Sequence, residues 1–248
     1  MTDLLYRYPD LRLGTLLKRY KRFLADIQLD NGEIITAHCP NTGPMTGVCT
    51  LGARVGVSYH DNPKRTLAYT WEIIEVEQTW VGVNTSLPNR IVKEMLGQRL
   101  LPELGDYQSF KPEVAYGKEK SRIDFMLTYG TDQRITGRHY LEVKNTTWTK
   151  GSLALFPDTE TTRGQKHLRE LISLAQGGTD QESRDQASIL FFINRSDCDR
   201  FAPGTEADPE YGRLFTEAQA AGVHILPCRF MVSPAGVQFM GLVPVAEC

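Results

Sequence analysis

Short runs of apolar residues, separated by turn-forming residues, dominate the first third of the chain. Two β-rich runs at 22–29 and 33–38 flank Asn31-Gly32, and this arrangement is the strongest short-range signal of a β-hairpin. Three further runs of the same kind follow at 54–59, 67–76 and 80–84. About five short strands without an intervening helix favour a small barrel. We therefore expect residues 1–86 to form an OB-like β-barrel domain.

The pattern changes after Thr85, where apolar residues adopt helical spacing. Ser86 is a candidate helix cap, and the helix is expected to continue to Leu101, before Pro102. Strands and helices then alternate, which predicts a mixed sheet with a buried central strand over residues 87–248. The expected strands are 113–116, 122–128, 139–145, 187–193 and 223–226, the helices are 162–175 and 209–221, and 176–186 is expected to be a loop.

Two of these apolar strands contain charged residues. Asp124 lies in one, and Glu142 and Lys144 lie in the next, two residues apart and therefore on one face. A buried charge is costly unless it is paired, hydrogen-bonded or bound to a metal. Two carboxylates and a lysine suit metal-assisted phosphodiester hydrolysis, in which the carboxylates hold Mg²⁺ or Mn²⁺ and the lysine stabilises charge. A plain cross-strand salt bridge is the alternative.

Composition is ordinary for a globular protein, with 41% hydrophobic and 23% charged residues and a net charge of −2. No apolar run reaches the length of a membrane span, and the first residues lack the pattern of a signal peptide. Five cysteines without a CxxC pair favour a reducing compartment. We therefore expect a cytoplasmic protein that does not associate with a membrane.

Local basic clusters are more informative than net charge. Residues 18–22 hold four cations around Tyr20, and Lys64-Arg65 adds a second pair. If the strand begins within this cluster, Arg19 and Lys21 share one face and Tyr20 and Arg22 the other. Cations interleaved with aromatics suit contact with a nucleic-acid backbone, whereas protection of an edge strand by charge is the alternative.

A second basic group lies on the helix expected at 162–175. Arg163, Lys166 and His167 follow i, i+3, i+4 spacing and share one face. This face either meets phosphate or is simply solvated. His167 is a candidate acid, ligand or surface donor, because histidine titrates near neutrality.

Three shorter segments leave alternatives open. The loop at 39–47 is dense in turn formers and is either a tight connection or a ligand-contacting loop. Asp158 follows Phe156-Pro157 and either caps the next helix or acts in a site. Residues 217–223 resemble the start of a helix-turn-helix, but the β-branched residues and the proline that follow favour a strand.

The order of these elements resembles the core of the PD-(D/E)xK nuclease superfamily, with Asp124 and Glu142-x-Lys144 as its signature. Ile123 stands where that signature has proline. The resemblance implies a further acid, for which Glu113, Glu94 and Asp158 are candidates.

A closer resemblance covers most of the chain. Five segments look like those of the sugar fermentation stimulation protein A (SfsA) family, and they are residues 19–26, 39–45, 121–125, 142–144 and 156–168. The resemblance implies an OB-like N-terminal domain, a nuclease-like C-terminal domain, non-specific DNA binding and a regulatory link to maltose metabolism.

Together these inferences predict a two-domain protein that binds double-stranded DNA independently of sequence, with metal-dependent DNA cleavage as the alternative. Mg²⁺ or Mn²⁺ at Asp124 and Glu142 is the expected cofactor, and no organic cofactor is indicated. A homodimer is among the assemblies that the sequence leaves open. The expected catalytic residues are Asp124, Glu142, Lys144 and Glu113, and the expected DNA-binding residues are Arg19, Lys21, Arg22, Lys64, Arg65, Arg122, Arg163, Lys166 and His167.

Overall fold

A computed structural model describes residues 4–116, 121–131, 134–177 and 185–246. The first part of the chain is built almost entirely from strands. They are β1 (Tyr6–Arg7), β2 (Arg12–Tyr20), β3 (Leu24–Leu29), β4 (Ile34–His38), β5 (Arg54–Tyr59), β6 (Tyr69–Val76) and β7 (Thr79–Gly82).

Strands β2 to β7 form the predicted barrel. The strand order is β4-β3-β2-β5-β6-β7, and parallel pairing of β4 with β6, at Ala37 and Tyr69, closes the sheet. The hairpin predicted around Asn31-Gly32 joins β3 to β4. Inward-facing apolar residues, including the fully buried Trp71, fill the barrel. The OB-type prediction is confirmed.

The sequence predicted that the basic cluster at residues 18–22 leads directly into a strand, and the structure places part of this cluster in a turn. Strand β2 ends at Tyr20, and Lys21 and Arg22 have φ values of 49° and 67°. This left-handed conformation forms a turn, so the expected alternation of these cations between two strand faces stops at Tyr20. The cluster therefore sits at the tip of the β2–β3 hairpin, with Lys21 and Arg22 exposed.

The second part of the chain alternates between helices and strands, as predicted. Its elements are α1 (Leu87–Gly97), β8 (Ser109–Tyr116), β9 (Ser121–Thr131), β10 (Arg134–Thr146), β11 (Trp148–Lys150), β12 (Leu153–Phe156), α2 (Thr162–Ala175), β13 (Gln186–Ile193), β14 (Arg200–Pro203), α3 (Pro209–Ala220), β15 (His224–Ser233) and β16 (Gly236–Leu242), with a 3₁₀ turn at Pro102–Leu104.

A seven-stranded mixed sheet, in the order β1-β16-β15-β13-β10-β9-β8, forms the centre of this part. Strands β10, β13 and β15 are parallel, and all of β13 beyond Gln186 is buried. Helix α1 packs its apolar stripe on one face, whereas α2 and α3 cover the other. A small sheet of β11, β12 and β14 adjoins it. The predicted mixed sheet with a buried central strand is confirmed.

Several predicted boundaries are refined. Helix α1 ends at Gly97 rather than near Leu101. Ser86 takes the N-cap position as predicted, but its side chain donates to Asn84 Oδ1 and makes no capping hydrogen bond to the helix. The residues after α3 form β15, so the strand interpretation is confirmed and a helix-turn-helix at 217–223 is not. Most of the loop expected at 176–186 lies outside the described residues.

The two parts of the chain are joined at more than one point. Strand β1 pairs with β16, through Tyr6 with Val237, and so belongs to the sheet of the second part. At the other end of the barrel, the Gly82 amide donates a 3.0 Å hydrogen bond to the Asn194 carbonyl. A side chain at Gly82 would collide with Asn194, because a Cβ there would lie 2.2 Å from Asn194 Oδ1.

Candidate active site

The three charged residues singled out in the sequence converge on neighbouring strands. In the antiparallel pairing of β9 with β10, Phe125 lies opposite Leu141. Asp124 and Glu142 are the adjoining residues on the two strands, so they are close neighbours. Glu142 and Lys144 share a face of β10, and Lys144 Nζ donates a 2.6 Å hydrogen bond to Glu142 Oε1. The Glu142 side chain is only 3% exposed and that of Lys144 only 12%. The pair is therefore largely removed from water.

Helix α2 adds His167 to this pair. Its Nδ1 contacts Glu142 Oε1 and lies 3.1 Å from Lys144 Nζ. A protonated Nδ1 donates to the carboxylate, whereas an unprotonated Nδ1 accepts from the ammonium. His167 is 4% exposed, so it is part of the buried site rather than of a solvated basic face. We call Asp124, Glu142, Lys144 and His167 the acid–lysine cluster.

The start of α2 is fixed by its own polar contacts, which position His167. Thr161 Oγ1 caps the helix by accepting a 3.1 Å hydrogen bond from the Gly164 amide. Gln165 Nε2 donates to Asp208 Oδ1 at 3.0 Å, and Asp208 also caps α3 through the Tyr211 amide. The same carboxylate therefore ties together the first turns of α2 and α3.

Asp124 is oriented by two hydrogen bonds. Asn89 Nδ2, on α1, donates to Asp124 Oδ1 at 2.7 Å, and the Val143 amide donates to Asp124 Oδ2 at 2.7 Å. Both bonds favour the ionised carboxylate. Asn89 was missed in the sequence because it belongs to the helix before the site, and no local pattern connects it with Asp124.

The two carboxyl groups differ in their electrostatics. Burial, followed by the neighbouring Glu142, raises the pKa of Asp124 to about 6. Burial also acts to raise the pKa of Glu142, but Lys144 and His167 outweigh it and the net pKa is lowered. Near neutral pH Glu142 is thus firmly ionised and Asp124 is close to its titration point. Such a separation of two adjacent carboxyl groups is common at functional sites.

Several buried polar atoms around the cluster have no hydrogen-bond partner within the described part of the chain. They include Glu142 Oε2, both carboxylate oxygens of Glu170 and the Tyr116 hydroxyl. Burial, with Glu142 and Glu170 nearby, raises the pKa of Tyr116 well above its usual range. A buried carboxylate oxygen without a partner is costly unless a cation or water completes it. Glu170 lies three residues after His167, and this spacing is the only sequence signal for it.

These features can be compared with what a metal ion requires. The described residues contain no group of three His, Cys, Asp or Glu side chains arranged to hold a metal. Mg²⁺, however, usually binds through one or two carboxylates and keeps several waters or phosphate oxygens. Asp124 together with the unpartnered Glu142 Oε2 fits that ligand set. Within the described ranges, no cage made entirely of protein ligands forms.

The candidate third acids lie apart from the contacts described above. Glu113 is exposed and has a φ of 53°, in the left-handed region. Glu94 is on the exposed face of α1. Asp158 is half-buried and accepts a 3.3 Å hydrogen bond from the Thr46 amide of the barrel. Glu170 is the acid that the fold brings beside Tyr116 instead.

The predicted DNA-binding residues of the barrel divide into two groups. Arg19 Nη2 donates to the carbonyls of Arg22, Asn41 and Gly43 at 2.8–2.9 Å, so Arg19 fastens the loop at 39–47. Arg65 donates to Thr70 Oγ1 at 2.7 Å. In contrast, the side chains of Lys21, Arg22 and Lys64 are exposed.

A groove on the barrel surface lies beside these cations. Its volume is about 620 Å³, and Phe23, Thr36, His38 and Arg65 are among its lining residues. Phe23 is 45% exposed, which is unusual for a phenylalanine.

The predicted basic residues of the second part are spread over two elements. Arg122 on β9 is exposed, with its Nη1 3.5 Å from the Glu113 carbonyl. On α2, Arg163 is exposed and Lys166 is half-buried, whereas His167 is buried and contacts Glu142 in the cluster. No helix of the described chain is long and apolar enough to cross a membrane.

By its fold the protein belongs to the class of two-domain proteins in which an OB barrel is followed by an α/β domain on a mixed sheet. The chain matches the family model described as "SfsA N-terminal OB domain" over residues 17–83 and that described as "Sugar fermentation stimulation protein RE domain" over residues 86–236. It therefore belongs to the sugar fermentation stimulation protein family, SfsA, which confirms the resemblance.

Relatives match over nearly the whole chain. The sugar fermentation stimulation protein homolog of Acaryochloris marina is 60% identical, and the match covers 100% of this chain and 98% of that protein. The homolog of Synechocystis sp. is also 60% identical, with 97% and 98% covered. Among solved structures, Pyrococcus furiosus SfsA in complex with Ca²⁺ matches with a TM-score of 0.85 and 25% identity, covering 99% of this chain and 100% of that one.

Proposed function

We propose that this protein binds DNA without sequence preference and hydrolyses its phosphodiester backbone with a divalent metal ion. The acid–lysine cluster carries this proposal. A salt bridge alone would account for Glu142 and Lys144, which are 2.6 Å apart. It would not account for Asp124 beside them, whose pKa is raised to about 6 by burial and by Glu142, or for the buried Glu142 Oε2 without a partner in the described chain. A cation between the two carboxylates accounts for both.

Each residue of the cluster has a distinct role in this mechanism. Asp124 and Glu142 would hold Mg²⁺ or Mn²⁺, which when bound polarises the phosphate and activates water. Asn89 and the Val143 amide keep Asp124 oriented toward the ion. Lys144 places a positive charge beside the phosphate, where negative charge develops. His167 contacts both Lys144 and Glu142 and so fixes their positions.

The Ca²⁺ named for the Pyrococcus furiosus relative supports a divalent cation in this family fold. Ca²⁺ and Mg²⁺ both prefer oxygen ligands but differ in size and coordination number. We propose Mg²⁺ or Mn²⁺ for this chain, because the cluster offers few protein oxygens and leaves room for water and phosphate.

The barrel supplies the DNA-binding surface in this proposal. Lys21 and Arg22 project from the β2–β3 turn, next to the exposed ring of Phe23 and the groove that Arg65 lines. Exposed cations neutralise phosphates, and an exposed aromatic ring stacks on any base, so both contacts are independent of sequence. Arg122 and Arg163 are the corresponding candidates on the second domain.

Cleavage is tested with supercoiled plasmid, with and without Mn²⁺ or Mg²⁺. We expect metal-dependent nicking, and Asp124→Asn, Glu142→Ala and Lys144→Ala should each reduce it by about a hundredfold or more. Lys150→Ala is the matched control, because Lys150 forms an exposed ion pair with Glu206 away from the cluster. Nicking that survives in Asp124→Asn would argue against the acid–lysine cluster as its site, and an uncut plasmid in every lane would argue against hydrolysis.

DNA binding is tested separately, by the dependence of the affinity on salt. The logarithm of the affinity should fall steeply as the logarithm of salt concentration rises, with a slope of about −0.9 for each phosphate contacted. Arg22→Ala should reduce that slope by about one unit. A slope near zero would contradict backbone binding.

The link to maltose metabolism stays a prediction from family membership. A regulator with a true operator would prefer its site over bulk DNA by about a thousandfold or more. Competition between operator DNA and bulk DNA therefore separates that function from sequence-independent binding.

A further inference from the structure

A second candidate site lies at the junction of the two domains, outside the acid–lysine cluster. It is a half-open pocket of about 160 Å³. Asn41 lines it from the barrel, and Asn145, Trp148, Phe156 and Asp158 line it from the second domain. A cavity of about this volume accepts a single aromatic ring. We call it the interdomain pocket.

The chemistry of the lining is that of a site for a polar heterocycle. Trp148 and Phe156 are the aromatic residues of the lining, and the Phe156 ring also packs on Phe191 and Tyr211 in the core. The Oδ1 atoms of Asn41 and Asn145 accept hydrogen bonds from the Gly43 amide and from Asn194 Nδ2, each at 3.0 Å. Their NH₂ groups have no acceptor among the described residues and remain available as donors. Asp158 adds a carboxylate that uses one oxygen on the Thr46 amide.

The pocket is held in shape by residues outside it. Arg19 fastens the loop that carries Asn41, through the Asn41 and Gly43 carbonyls. Thr85 Oγ1 donates a 3.0 Å hydrogen bond to the Pro40 carbonyl and closes the other side of that loop. A site formed before the ligand arrives avoids part of the ordering cost of binding.

We infer that the interdomain pocket binds one nucleobase, with its amino edge toward Asp158. A nucleobase is a planar ring that stacks on aromatic side chains and carries both donors and acceptors on its edge. The carboxylate of Asp158 accepts from an exocyclic amino group, and the asparagine amides donate to ring nitrogen or carbonyl acceptors. Asp158 also makes the pocket unfavourable for a phosphate, which is expected to remain outside.

A free nucleotide and a nucleic-acid strand are the two sources of such a base, and the second source rests on the proposed function. Asn145 directly follows Lys144 on β10. A strand whose phosphate lies at the acid–lysine cluster would then bring a nearby base to the end of β10. Binding of one base in this pocket would fix the position of the nucleic-acid backbone. It would not require recognition of a long sequence.

The experiment uses the full chain and two kinds of probe. One is 2-aminopurine ribonucleoside monophosphate, whose base is fluorescent and has an exocyclic amino group. The other is a set of short single-stranded oligonucleotides in which 2-aminopurine, or an abasic residue, occupies each position in turn. Asp158→Asn is the test variant, and Asp199→Asn is its matched control, because both remove one acidic charge but Asp199 pairs with Ser152 and Arg200 elsewhere.

We expect the emission of 2-aminopurine to be quenched on binding, and an abasic residue at the quenched position to weaken binding by about tenfold, within the range for loss of one stacked base. Asp158→Asn should weaken binding of the base to a similar extent, whereas Asp199→Asn should not. Equal binding of abasic and normal oligonucleotides at every position, together with no binding of the free nucleotide, would overturn the inference even if plasmid is cleaved. Binding of the free nucleotide without binding of any oligonucleotide would support the pocket and count against the proposed DNA-binding function.

Discussion

The side-chain amide of Asn89 donates a 2.7 Å hydrogen bond to Asp124 Oδ1 and so connects α1 to the carboxylate of β9. This bond lowers the pKa of Asp124 against the larger effect of burial. Asn89→Ala should therefore raise that pKa further. We expect the affinity for Mn²⁺ near pH 6.5 to fall by about tenfold, since a hydrogen bond to a charged group contributes about 1.5 kcal/mol or more.

Isothermal titration calorimetry with Mn²⁺ would check this expectation. Asn31→Ala is the matched control, because Asn31 accepts only a local hydrogen bond from the Glu33 amide in the barrel hairpin. An unchanged affinity in Asn89→Ala would show that the bond does not orient a metal ligand.

The raised pKa of Asp124 predicts how stability depends on pH in the metal-free protein. The folded pKa of about 6 exceeds the ordinary value of 3.8, so the folded state binds more protons between these values. The contribution of Asp124 to stability is therefore greatest below the unfolded pKa and is lost as pH rises through 6. Asp124→Asn removes this dependence. Relative to wild type, the variant should gain about 1.4 kcal/mol between pH 5 and pH 8.

Urea unfolding at the two pH values gives this difference directly. Asp106→Asn serves as the control, because the Asp106 side chain is fully exposed and should show no comparable change. A wild type and an Asp124→Asn variant that respond identically to pH would contradict the assigned pKa.

Metal binding should compete with the same proton. A metal ligand must be deprotonated, and Asp124 is the cluster carboxylate whose pKa lies near 6. The pKa of Glu142 is lowered, so Glu142 contributes no second proton in this range. Well below pH 6 the apparent Mn²⁺ affinity should therefore drop about tenfold for each pH unit, and between pH 6.0 and 5.0 it should drop about fivefold. A drop of about a hundredfold per unit, in a titration at pH 5.0 and 6.0, would indicate two protons and refute the assignment.

The buried Glu142–Lys144 pair predicts strong coupling between two substitutions. Either Glu142→Gln or Lys144→Met leaves one buried charge without its partner, which typically costs about 3–5 kcal/mol. The double variant removes both charges and should cost less than the sum of the two. Chemical unfolding of the four proteins completes the cycle. Additive costs would mean that the two side chains do not stabilise each other.

A substitution of Arg19 distinguishes a role in stabilising the barrel from a role in contacting DNA. Its Nη2 donates to three carbonyls, sharing one of its two hydrogens, and lysine carries its charge on a flexible stem without the rigid guanidinium plane that holds Nη2 in place. Arg19→Lys should therefore destabilise the barrel by about 1–3 kcal/mol while leaving the salt dependence of DNA binding unchanged. Thermal unfolding and a salt titration of the same variant test both parts. A variant that is stable but binds DNA weakly would instead make Arg19 a phosphate contact.

The sequence predicted the parts of the fold that local patterns determine. The hairpin followed from Asn31-Gly32 between two β-rich runs, and the bounds of α2 followed from helical spacing between polar segments. Strands β11 and β12 have only three and four residues, which is too short for an alternating pattern to be recognised. The turn at Lys21 and Arg22 was missed because neither residue type normally marks a left-handed conformation.

The candidate site likewise contains some residues that local sequence patterns reveal and others that they do not. Asp124, Glu142 and Lys144 could be found because charge is conspicuous within an apolar strand. The roles of Asn89, Glu170 and Tyr116 depend on contacts between elements distant in the chain. Those contacts are set by how α1 and α2 pack on opposite faces of the sheet, and no local pattern specifies that packing.

The pairing of β1 with β16 has a mechanical consequence for the barrel. Because the chain enters the barrel from one strand of the central sheet and leaves it into α1, the barrel is anchored to its neighbour by two separate covalent connections. It cannot swing freely as a domain on a single linker would. Opening the junction at β7 would break the Gly82–Asn194 hydrogen bond.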